Sequence, residues 1–131
     1  MTEKELKQAI REVVKNNYLG QTVGYESRGG IMTFKAEGYK ISTRKRLIPK
    51  DEWEDYGVDE ETQTFIILEF WDAKEEDEAT DSVCCIFTLN DKGQVGTSDA
   101  PYDFEYDLNY DLALELADQI TEWYRKEETN Q

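Results

Sequence analysis

From Tyr102 to Asp111 the chain reads Tyr-Asp-Phe-Glu-Tyr-Asp-Leu-Asn-Tyr-Asp, so Asp103, Glu105, Asp107 and Asp111 alternate with Tyr102, Phe104, Tyr106, Leu108 and Tyr110. Carboxylates at such spacing have three chemical uses: they ligate a hard cation, they work in pairs as acid and base, or they stand where phosphates would stand against a basic surface. The first use fails at the turn. A calcium loop needs Gly at its sixth position, and here the sixth residue from Asp103 is Leu108 and from Asp107 is Leu112. Acid–base work needs a desolvated carboxyl beside a base or nucleophile, and abundance alone singles out no pair.

Other chemistry is excluded by residue type. The chain has no His, which removes Ser-His-Asp and Cys-His triads and most zinc sites. No GxxxxGK, GxGxxG, GxSxG or CxxC motif occurs, so phosphate-loop, dinucleotide, hydrolase-elbow and thioredoxin readings lack their primary residues. Cys84 and Cys85 are neighbours in an apolar run where successive side chains point to opposite faces; a bond between them would be strained, and both are expected reduced. No cofactor and no metal site is expected.

The remaining signal is charge. Thirty acidic against fifteen basic side chains give a formal charge of −15 over 131 residues. The two classes are sorted along the chain: residues 1–50 carry net +6, residues 51–124 net −21, and residues 125–131 balance. A net −21 over more than half the chain disfavours direct nucleic-acid binding, because the polymer carries one negative charge per phosphate. It suits a basic protein partner.

The elements that position these charges follow from periodicity. Thr2 and Glu5 form a capping-box signal, and Leu6, Ala9, Ile10, Val13 and Val14 recur at helical spacing up to Asn16-Asn17, with Lys4, Lys7, Arg11 and Lys15 outward as a basic ridge. From Gln21 the period becomes two, with Arg28-Gly29-Gly30 as a hairpin turn, Ile31–Glu37 as the partner strand, and Tyr39, Ile41 and Thr43 on a third strand whose outer face is basic; Gly38 marks a turn or bulge before it. A short helical turn follows Pro49.

Thr62–Trp71 reads as a central strand, with Phe65, Ile67 and Trp71 on one face and Ile66, Leu68 and Phe70 on the other. Its second apolar face is therefore either covered or an interface. An acidic, mobile loop Asp72–Asp81 leads to strands Ser82–Leu89 and Gln94–Thr97 around the turn Asn90-Asp91-Lys92-Gly93. The Tyr102–Asp111 strip begins extended and gives way by about Asp107–Asn109 to a helix. There Leu108, Leu112, Leu116, Ile120 and Trp123 share one side, and Asp107, Asp111, Glu115, Asp118 and Glu122 share the other; Glu127–Gln131 frays.

The fold class expected is α+β in one domain over residues 1–131: a twisted antiparallel sheet of about five to six strands flanked by N- and C-terminal amphipathic helices. No apolar run reaches the ~18 residues of a membrane helix, and no apolar signal core follows the charged start, so a cytoplasmic location is expected.

Function then turns on the acidic face. The first expectation is a non-enzymatic inhibitor, immunity or counter-defence module that sets this face on the basic surface of a nuclease or nucleic-acid-binding protein, acting as a nucleic-acid mimic. Its partner-binding residues are Tyr102, Asp103, Glu105, Tyr106, Asp107, Tyr110, Asp111, Glu115, Asp118 and Glu122. In size and charge the chain is similar to phage counter-defence (anti-CRISPR) and toxin-immunity proteins. The element order looks like that of class I type III secretion chaperones, a resemblance that implies a dimer holding a partner protein, with the outer face of Thr62–Trp71 or the last helix in the seam. The remaining readings are a carboxylate and Mg²⁺-dependent enzyme, self-association of basic ridge with acidic ridge, and acids that serve solubility alone.

Overall fold

The computed structural model describes residues 1–27, 30–47, 50–52, 54, 62–89, 93–97 and 110–129. Helix α1 (Glu3–Asn17) starts on the expected capping box: Thr2 Oγ1 accepts from the Glu5 N–H at 3.1 Å, and Glu5 Oε1 accepts from the Thr2 N–H at 2.9 Å. Its five apolar-stripe residues, Leu6, Ala9, Ile10, Val13 and Val14, are all buried.

Strands β1 (Thr22–Ser27) and β2 (Gly30–Lys35) form an antiparallel hairpin in which Val23 faces Phe34. Strands β3 (Gly38–Leu47), β4 (Thr62–Trp71), β5 (Ser82–Leu89) and β6 (Val95–Thr97) form a second antiparallel sheet in that order. Helix α2 (Tyr110–Thr129) completes an α+β fold with a helix near each end of the chain. α2 holds its helical geometry through Thr129, where the sequence places fraying from Glu127 onward; the Thr129 hydroxyl donates to the Arg125 carbonyl at 2.9 Å.

Six strands are present among the described residues, within the five to six expected, but in sheets of two and four rather than one. The division falls within two residues. The Ala36 N–H donates to the Gln21 carbonyl and the Ala36 carbonyl accepts from Gly20, which extends the hairpin. The next N–H, that of Glu37, donates to the Trp71 carbonyl and begins the larger sheet. The chain thus changes partner across one peptide unit. Gly38 is the point of close approach rather than a bulge: a Cβ there would lie 2.1 Å from Trp71 Nε1 and 2.5 Å from the Ala73 carbonyl oxygen.

β4 is a central strand, paired with β3 on one side and β5 on the other. Ile66, Leu68 and Phe70 join Val83, Cys85 and Phe87 of β5 in one buried cluster with α1 and with Leu112, Ala113, Leu116 and Ile120 of α2. On the opposite face Phe65, Ile67, Cys84 and Ile86 form a second cluster. Phe65 and Ile67 are only 5% and 7% exposed, so this second face is covered within the single chain. None of the described helices is long and apolar enough to cross a membrane.

Candidate functional site

The amphipathic pattern of α2 sets one stripe in the core and leaves the rest of its surface outward. Of the ten residues expected to meet a partner, Tyr102, Asp103, Glu105, Tyr106 and Asp107 lie outside the described residues, and Tyr110 and Asp111 are described as backbone of the first turn of α2 only. Glu115, Asp118 and Glu122 are brought together on the exposed side of the helix.

Those three carboxylates are not equivalent. Glu115 Oε1 accepts from the Tyr18 hydroxyl at 2.9 Å and from Gln119 Nε2 at 3.4 Å, so it belongs to the seam between α1 and α2. Glu122 pairs with Lys126 one turn on, at 3.3 Å. Both groups of that pair are well exposed, and its energy is accordingly small, about 0.3–0.5 kcal/mol. Asp118 stands between them, exposed.

Sequence reasoning passed over Leu114. Among the described residues it is the one exposed large hydrophobic, at 43%. Leu114, Asp118 and Glu122 follow one another at intervals of four, and so line up along α2 as an apolar contact followed by two carboxylates. The signal was available: two residues past Leu112 is 200° around a helix, well off the buried stripe.

A second group of titratable residues lies on the opposite face of the sheet. Glu69, 9% exposed, is the one buried charged residue among those described; it stands opposite Lys40 in the β3–β4 register and opposite Cys84 in the β4–β5 register. Lys40 Nζ lies 3.1 and 3.4 Å from the two oxygens of Glu76, in the turn Glu76–Glu78 between β4 and β5. Burial pushes the Glu69 carboxyl above the usual carboxylate range; Lys40 opposes the shift, and the Glu76 carboxylate beside it adds to it. Lys40, on the outer face of β3, thus pairs with an acid elsewhere in the chain.

The acidic β4–β5 loop, expected to be a mobile connector, is tied down twice. The Thr80 N–H and hydroxyl both donate to the Asp72 carboxylate at its base, and Glu76 is held by Lys40 at its turn. The two Thr80 bonds hold Asp72 below the usual carboxylate range. Glu75, Glu76, Asp77 and Glu78 are exposed. Described acids therefore stand on both sides of the larger sheet, α2 carrying those on the helix side. Among the described residues, no three Cys, Asp or Glu side chains gather as a ligand set for a metal ion.

Cys84 and Cys85 are both buried and unbonded to each other, Cys84 on the outer cluster and Cys85 in the main core. Burial pushes the Cys84 thiol up to about 12 and that of Cys85 higher still, which suits core packing rather than nucleophilic or redox chemistry.

No family model, curated protein or solved structure matches this chain.

Proposed function

We propose that the chain is a non-enzymatic, cytoplasmic protein-binding module of the inhibitor, immunity or counter-defence kind. It docks the outward face of α2 on the basic surface of a nuclease or other nucleic-acid-binding protein. The observation that carries the reading is the exposed row Leu114, Asp118 and Glu122: carboxylates spaced along a rigid helix meet the basic side chains that otherwise neutralise phosphates, and Leu114 gives the contact an apolar anchor. The net −21 of residues 51–124 supplies the long-range attraction that steers encounter. The buried state of Phe65 and Ile67 favours this reading over a chaperone-like dimer seamed through the outer face of β4, since those side chains are already covered.

The test is capture from the source cell at low salt with the wild-type chain and with Asp118→Asn/Glu122→Gln. The wild type is expected to retain a basic nucleic-acid-binding protein that is released by raised salt and by added duplex DNA or RNA. The double variant is expected to retain much less of it. Recovery of no basic protein, or of one that keeps its nucleic acid while bound, overturns the proposal.

A further inference from the structure

The end of α2 passes the start of α1 and leaves a cleft of about 230 Å³, lined by Glu5 and Gln8 of α1 and by Trp123, Tyr124, Glu127 and Glu128 of α2. Two aromatic rings and three carboxylates share this space, and no basic side chain is among them. Trp123 is partly buried, packed on one side against the main core. Tyr124 is fixed by its hydroxyl, which donates to Glu5 Oε2 at 2.9 Å. Glu5 is fixed in turn, because its other oxygen accepts from the Thr2 N–H in the capping box. These bonds hold the Glu5 carboxyl below the usual carboxylate range, so its charge persists at neutral pH, and Glu5 pushes the Tyr124 phenol up to about 12. Glu127 and Glu128 are exposed at the mouth, in the last turn of α2, where the carbonyl end of the helix adds negative potential.

Such a lining selects a cation, and one with a flat apolar face. An ammonium is a strongly hydrated point charge, whereas a guanidinium stacks on aromatic rings and presents its N–H groups as a fork to carboxylates. A phosphate or nucleic acid is repelled by all three carboxylates. Around α2 the cleft lies towards α1, on a different side of the helix from the row that ends at Glu122, because Trp123 is turned about 100° from Glu122 and packs against the core.

We infer that this cleft receives an arginine side chain of the basic partner protein, between the Trp123 and Tyr124 rings and the carboxylates of Glu127 and Glu128. The inference rests on the docking reading above and names a contact that the row Leu114, Asp118 and Glu122 does not supply. The competing occupant is a second copy of this chain, whose α1 carries the exposed Arg11.

The experiment titrates a hexa-arginine peptide onto the full-length ¹⁵N-labelled chain and follows the indole N–H resonances. The Trp123 resonance is expected to move while that of buried Trp71 does not. Hexa-lysine is expected to bind more weakly, and Glu127→Gln/Glu128→Gln to weaken hexa-arginine binding about fivefold, from two exposed charge pairs of ordinary strength. Both substituted residues are exposed, so the variant's remaining spectrum is expected to be unchanged, which separates lost binding from lost folding. A still Trp123 resonance, or equal binding by the double variant, overturns the inference. So does self-association at low salt that Arg11→Gln abolishes, because the occupant is then a second copy. If the captured basic protein binds Glu127→Gln/Glu128→Gln at full strength, the cleft inference falls and the docking reading survives. If hexa-arginine fills the cleft but no basic protein is captured, the docking reading falls, and with it the basic partner as the source of the arginine, while the cleft stands as a guanidinium site.

Discussion

The Tyr18 hydroxyl donates to Glu115 Oε1 at 2.9 Å and accepts from Gln119 Nε2 at 2.7 Å, tying the end of α1 to the middle of α2 across about a hundred positions of sequence. Burial and the adjacent carboxylate push this phenol far above its ordinary value, so it stays protonated and keeps donating. Tyr18→Phe keeps the ring, and with it the tilted contact to Phe70 at 5.9 Å, but removes both bonds. The expected loss is about 1–2 kcal/mol, read as a lower urea midpoint with an unchanged slope. Partner binding is expected to survive, because Glu115 serves the seam between helices.

Gly38 has no room for a side chain. A methyl group there meets Trp71 Nε1 at 2.1 Å and a backbone carbonyl at 2.5 Å, and Trp71 is itself buried. Gly38→Ala is expected to destabilise by about 1–3 kcal/mol through overpacking. Urea unfolding followed by tryptophan fluorescence measures it, and near-UV circular dichroism of the native state is expected to change as the indole shifts.

Glu69 gives the pH dependence a definite sign. Its folded-state pKa is raised, so between the ordinary carboxylate value and the raised one the folded chain holds a proton that the unfolded chain has lost. Stability therefore falls as pH rises through that interval and levels off above it. Glu69→Gln is expected to be more stable than wild type at pH 7, with the advantage shrinking as pH falls and vanishing below the ordinary carboxylate range. Glu3, Glu5 and Asp72 have lowered values and act with the opposite sign, contributing stability that is lost as pH falls. They are common to both proteins and cancel in the difference, which paired urea titrations from pH 4 to 8 isolate.

Cys84 and Cys85 are expected to resist a thiol reagent in the native state. Both are buried, and their raised pKa values leave almost no thiolate at pH 8. Two thiols per chain are expected to react once the protein is unfolded in urea. Prompt labelling of either in native buffer contradicts their placement.

On the outward face of α2, Leu114→Ser and Asp118→Asn/Glu122→Gln remove exposed groups, and stability is expected to stay within about 0.5 kcal/mol of wild type. Binding to the captured basic partner is expected to weaken for both. The charge variant alone is expected to flatten the salt dependence, since Leu114 contributes apolar area and no charge. Melting temperature and affinity at two salt concentrations check the two halves of this expectation.

Local pattern determined much of this protein. The capping box and stripe of α1, the two-faced strand Thr62–Trp71, the strand Ser82–Leu89 and the acidic side of the last helix all follow from periods of 3.6 and 2 within one element, and a period requires no knowledge of what packs on it. The tertiary structure decided what connects elements. Alternation does not say which strand edge is paired, so the change of partner between Ala36 and Glu37, and with it the division into sheets of two and four strands, belongs to long-range hydrogen bonding alone. The same holds for individual acids. Glu69, Glu115 and Glu122 are the same residue in sequence, and only packing makes the first a buried carboxyl beside Lys40 and Glu76, the second an acceptor for Tyr18, and the third an exposed charge paired with Lys126. A carboxylate's role depends on the water it has lost and the groups that replace that water, and both are set by neighbours far away along the chain.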